Sequence, residues 1–125
     1  MVFTGIKRTF SLKNEEQYET IGGFWDEMAE IYGLENLRGL GYGWHGDTIE
    51  YAIGLKDGEI DGCNVRIDLP DGGWGIETGR TEDLPLLYAE IYKSGRLEYE
   101  IEEFTDGGDC VIHYVRKMTQ KNIEN

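Results

Sequence analysis

Along this chain the spacing of apolar positions alternates between a period of two and a helical period of about 3.6 residues, and each change marks an element. Residues 3 to 12 alternate, with Ile6, Phe10 and Leu12 on one parity, and predict a strand. Tyr18, Ile21, Trp25, Met28 and Tyr32 follow at spacings of three, four, three and four, one face of a helix. Asn14 stands where an N-cap would, Gln17 is its capping-box partner, and Gly33 suits the left-handed position past the end. From Arg38 to Leu55 the period falls to two. Leu40, Tyr42 and Trp44 share a face; past a turn at Gly46-Asp47, so do Ile49, Tyr51, Ile53 and Leu55. Lys56-Asp57-Gly58 closes that strand. Val65, Ile67 and Leu69 predict another, Pro70-Asp71-Gly72-Gly73 a turn or bulge, and Trp74, Ile76 and Thr78 a continuation.

Asp83 and Pro85 open a shorter helix with Leu84, Leu87, Tyr88 and Ile91 as its apolar positions, and Gly95 lies beyond its end. The stretch from 96 to 117 reads as a hairpin around Asp106-Gly107-Gly108-Asp109. In its first strand Leu97, Tyr99 and Ile101 point one way, and Glu98, Glu100, Glu102 and Phe104 the other. The order strand-helix-strand-strand therefore occurs twice. It predicts an α+β fold of duplicated units: an antiparallel sheet with two helices on one side and a ligand cleft on the other. Tyr99 and Ile101 are expected to face the helices, and Glu102 the cleft. The domain is expected to span 1–118, with a polar tail over 119–125.

At 125 residues the chain is one domain's length. Its 25 acidic and 12 basic residues give a formal charge of −13, and beyond Lys7-Arg8 and Arg116-Lys117 there is no basic cluster. Direct nucleic-acid binding, which needs cations to neutralise phosphates, is not expected. No apolar run approaches the length of a membrane span, and no leader-like segment begins the chain, so a cytoplasmic protein without a membrane partner is expected. The sequence carries no signal of oligomeric state. Cys63 and Cys110 form no paired motif and are expected to be buried or half-buried thiols.

Most catalytic motifs are absent. Gly39-Leu40-Gly41-Tyr42-Gly43 interleaves glycines with strand aromatics and opens no helix, unlike a phosphate loop. His45 and His113 have no second ligand at metal-binding spacing, and neither serine sits in a nucleophile elbow; no metal and no cofactor are expected. What remains is aromatic and acidic. The three Trp, eight Tyr and four Phe exceed what a small helix-covered core needs, and aromatic walls with a few polar groups are the usual lining of a ligand pocket. Read alone, the glutamates from 98 to 102 fit an ordinary solvated face better than a site. The alternative is a set of carboxylates among rings, which holds cationic ligands or activates a water.

Three segments resemble the GyrI-like domains, effector-binding modules also attached to bacterial transcription regulators. Ile49-Glu50-Tyr51-Ala52-Ile53-Gly54 is similar to that family's F-x-Y-x-I-G strand. The run from Asp68 to Ile76 resembles its I-P-x-G-x-Y-A-V-F segment, with Trp74 in place of tyrosine. Ile101-Glu102-Glu103-Phe104 resembles its F-E-x-Y strand, with Phe104 in place of tyrosine. The resemblance covers about residues 3 to 117. It implies the duplicated fold, a cleft between its halves, Glu102 as the pocket carboxylate, and Tyr51 and Trp74 beside it. No helix-turn-helix precedes the domain, so a stand-alone member is expected, and the segment from Thr78 to Glu98 is shorter than the family's.

The expected function is capture of small aromatic or cationic, toxic organic molecules, with Trp44, Tyr51, Trp74, Glu102 and Phe104 binding the ligand. The alternative, also from the resemblance, is hydrolysis of electrophilic cyclopropane-bearing genotoxins. Glu102 would then be the general base, and Tyr51 would stabilise charge developing on oxygen. Inhibition of DNA gyrase by protein contact, suggested by the family name alone, ranks last.

Overall fold

The computed structural model describes residues 1–117; the expected tail at 119–125 lies outside them. The described residues form an α+β fold: a seven-stranded antiparallel sheet and two α-helices. In chain order these are β1 (Val2–Ser11), α1 (Gln17–Tyr32), β2 (Leu37–His45), β3 (Thr48–Leu55), β4 (Val65–Asp68), β5 (Gly75–Arg80), α2 (Leu84–Tyr92), β6 (Leu97–Phe104) and β7 (Asp109–Arg116). The sheet order is β4-β1-β3-β2-β6-β7-β5, every neighbouring pair antiparallel. The central β2–β6 pair joins the segment that follows α1 to the segment that follows α2.

Strand register decides which side chains meet the helices. Tyr51, Gly41 and Glu100 lie in one cross-strand row, and Ile53, Gly39, Glu102 and Ile112 in the next. Both helices pack over this face. From α1, Phe24 stacks on Phe10 of β1 with ring centroids 5.9 Å apart, and Trp25 packs edge-on against Phe104 at 4.8 Å. From α2, Leu87 lies over Gly79 of β5, where an added Cβ would stand 2.9 Å from a Leu87 methyl. Burying these side chains stabilises the fold by roughly 1.5–3 kcal/mol each relative to exposure.

The expected orientation of β6 is reversed. Glu100, Glu102 and Phe104 face the helices, whereas Tyr99 and Ile101 join Phe3, Leu40, Ala52, Leu69 and Trp74 in an apolar cluster on the opposite face. Alternation holds from Tyr99 to Phe104, but Leu97, expected beside Tyr99 and Ile101, packs instead with Tyr88, Ile91 and Ile112, because the β6–β7 register shifts between Leu97 and Tyr99. The face towards the helices is the acidic one. The apolar parity is taken up by the far side, where β4 and the segment leading to β5 cover it.

Two local expectations also change. Asn14 is not an N-cap. It adopts a left-handed conformation (φ 55°, ψ 28°) inside a 3₁₀ turn, and α1 starts three residues later without a side-chain cap. Gly33 does end α1, with φ 88° and its N–H on Ala29 O at 2.8 Å. Cys63 is exposed and only Cys110 is buried; they form no disulfide.

Candidate functional site

A cavity of about 430 Å³ lies on the helix-bearing face, between α1, α2 and the central strands. It is not on the opposite face, where the sequence placed its cleft. Its sheet-side lining comes mainly from Ile49 and Tyr51 of β3 and Glu100, Glu102 and Phe104 of β6, and the glycines of β2 between them, read above as a non-phosphate loop, now have a physical account. A Cβ on Gly39 would overlap the Tyr51 hydroxyl and come within 2.8 Å of the Trp25 ring; one on Gly41 would meet Glu100 Oε1 at 2.7 Å. Only glycine leaves room for these groups above β2.

Two carboxylates define the chemistry. Glu102 is 4% exposed and Glu100 5%. Tyr51 Oη donates to Glu102 Oε1, and Tyr88 Oη, from α2, donates to Glu102 Oε2 at 2.6 Å. Trp25 Nε1 donates in turn to Tyr51 Oη at 2.8 Å, and Tyr92 Oη donates to Glu100 Oε2 at 3.2 Å. Tyr88 and Tyr92 are one helical turn apart and stack at 5.5 Å, so one face of α2 delivers both hydroxyls. The cavity lining includes Asp26 and Asp106 besides the two glutamates, and among the described residues it contains no Lys, Arg or His.

Electrostatics follow from that inventory. Burial pushes the Glu100 carboxyl well above its ordinary value, and the neighbouring charge of Glu102 pushes it further; the hydrogen bond from Tyr92 and the nearby Tyr88 hydroxyl oppose this. Burial also raises Glu102, while Tyr51 and Tyr88 hold it down by bonding to its ionised form. The same burial, beside these carboxylates, drives Tyr51 and Tyr88 far above the usual phenol range and Tyr18 up to about 12. All three stay neutral at physiological pH.

The structure brings together four of the five residues singled out as ligand-binding. Tyr51, Glu102 and Phe104 line the cavity on strands, and Trp44 joins them. Trp44 does so against its parity. Between Tyr42 and His45 the β2–β3 register slips, with Gly43 at φ 62°, and this bulge turns the indole from the face of Leu40 and Tyr42 to that of Ile49. Trp74 stands apart. It lies on the opposite face, its Nε1 donating to Pro70 O at 2.8 Å. Among the described residues no metal-binding cluster occurs; His45 is exposed, and His113 lies 3.9 Å from Glu103.

Sequence reasoning assigned Trp25 and Tyr88 to the core and left Glu100 in an acidic face. Glu100 shares its parity with Glu102, and Tyr88 and Tyr92 their helical spacing; these were the available signals. No protein-family model, curated protein or solved structure matches this chain. No helix among the described residues is long and apolar enough to cross a membrane.

Proposed function

We propose that this protein captures small aromatic cations in the cavity between α1 and α2, as a GyrI-like small-molecule-binding domain serving detoxification. One observation carries the reading: two buried glutamates face an aromatic cavity whose lining, among the described residues, offers no basic side chain. A buried carboxylate without a counter-charge is costly, so it takes up a proton or a cation. Trp25, Trp44, Tyr18 and Tyr88 supply ring surfaces for such a cation, and Tyr51 and Tyr88 hold Glu102 ready for it. The recurrence of strand-helix-strand-strand in β1-α1-β2-β3 and β5-α2-β6-β7 supports the duplicated arrangement, with the cavity where the two halves meet. The −13 charge argues against nucleic acid as the partner.

The test is calorimetric titration with 4-methylbenzylamine and with 4-methylbenzyl alcohol, its uncharged analogue. The amine is expected to bind at least about tenfold more tightly, and Glu102→Gln to abolish the difference. Equal affinities, or a preference surviving in Glu102→Gln, would count against the reading.

Hydrolysis of cyclopropane-bearing electrophiles is the second reading. It is favoured by the raised Glu102 carboxyl, a stronger base than an exposed one. Against it, each Glu102 oxygen already accepts a tyrosine hydroxyl. A ring-opened product detected by mass spectrometry, and lost by roughly 10² to 10⁴-fold in Glu102→Gln, would establish it.

A further inference from the structure

We propose that Glu100 is a second anionic group of this site, and that the Glu100–Glu102 pair makes the cavity select aromatic dications over monocations. The proposal deepens the cation-capture reading and rests on it. Residues two apart on a strand face lie roughly 6.6–6.8 Å apart along the chain, so the two carboxylates present neighbouring, separately addressable charges. Both are at least nine-tenths buried, and both line the same cavity. Gly41, across from Glu100 on β2, leaves the space that the Glu100 carboxylate fills.

Glu100 has around it Glu102 on its own strand, Tyr88 and Tyr92 from α2, Tyr18 from α1, Tyr51 from β3 and Tyr114 across from it on β7, while Asp26 and Asp106 are exposed residues of the cavity lining. None of these can supply a positive charge. In the empty cavity the pair therefore retains one proton, and it sits on Glu100. Glu102 accepts hydroxyls at both oxygens, whereas the bond recorded to Glu100 is the longer one from Tyr92. A monocation neutralises Glu102 and leaves that proton in place. A dication places its second nitrogen at Glu100, whose carboxylic acid ionises and releases its proton to solvent. Dication binding is thus linked to the loss of one proton, and monocation binding is not.

The probes are p-xylylenediamine and 4-methylbenzylamine, which share a ring and differ by one ammonium group. Titration calorimetry at about pH 6 and pH 8, in buffers of different ionisation enthalpy, reads affinity and proton release together. The diamine is expected to bind more tightly, to gain up to about tenfold per pH unit, and to release one proton; the monoamine should do none of these. Glu100→Gln should remove the diamine's advantage and its proton release, so that diamine and monoamine then bind alike. Circular dichroism checks that the variant is folded, and the wild-type proton count needs no variant. Equal loss of both ligands in Glu100→Gln, or diamine binding without proton release, would overturn the proposal. If the monoamine binds and the diamine gains nothing, this inference fails and cation capture stands. If neither amine binds, both fail.

Discussion

Trp25 on α1 and Tyr51 on β3 share a buried 2.8 Å hydrogen bond across 26 residues of sequence, and it fixes the direction of a second bond. An indole N–H can only donate, so the Tyr51 oxygen accepts, and its own proton is left for Glu102. The first helix thereby orients a carboxylate on β6 through a tyrosine on β3.

Replacing Tyr51 by Phe should break both bonds at once. It leaves the Trp25 N–H without its partner and removes one of the two hydroxyls that favour ionised Glu102. A destabilisation of about 1–3 kcal/mol in urea unfolding is expected, together with weaker amine binding. Unchanged affinity would show that Tyr51 does not prepare the carboxylate.

Two glycine-to-alanine changes should act with opposite signs. Gly39→Ala drives a methyl into the Tyr51 hydroxyl and should destabilise by about 1–3 kcal/mol. Gly23→Ala, exposed within α1 with nothing within 4 Å of the added Cβ, should stabilise by roughly 0.5–1 kcal/mol. Thermal melts of both variants check this directly.

Stability should fall as pH rises from the low end. Below the ordinary carboxyl value of 4.5, Glu100 is protonated in both the folded and the unfolded chain. Above it the unfolded chain releases that proton while the folded chain keeps it. The folded state then binds more protons, and its stability drops by up to about 1.4 kcal/mol per pH unit until the raised folded value is passed. Glu102 acts in the same direction. Glu100→Gln removes one contribution, so its melting temperature should exceed wild type at about pH 7 and converge with it near pH 4. Parallel curves for the two proteins would contradict the assignment.

Trp44 and Trp74 should separate by function. Trp44→Ala removes a ring from the cavity wall and should weaken aromatic amine binding by about 0.5–2 kcal/mol. Trp74→Phe, on the opposite face, should leave affinity within experimental error. Equal losses would mean that the ligand does not sit between the helices.

Much of this arrangement was legible in the chain. The spacing of Tyr18, Ile21, Trp25 and Met28 marked α1, alternation marked the strands, and the shared parity of Glu100, Glu102 and Phe104 is observed. Glu98 is solvated as the plainer reading held, while its neighbours two and four residues on are buried. That difference was not legible, because the β6–β7 register shifts between Leu97 and Tyr99 and simple alternation carries no sign of it.

The sequence by itself determined the helices, most strands, the hairpin pairings and most of the sets of residues that share a face, because these depend on local periodicity and on turns a few residues long. It did not separate β4 from β5, read as one interrupted strand, which stand at opposite edges of the sheet. Tertiary structure decided which face the helices cover. Both faces of β6 carry apolar groups, and the outcome depends on a register set across β2, β3, β6 and β7 together. It also decided that Trp44 enters the cavity, through a bulge that reverses its parity, and that Trp74 does not. Tyr88 and Tyr92 reach the glutamates for the same reason: α2 docks on the sheet as a unit, and two hydroxyls come with it.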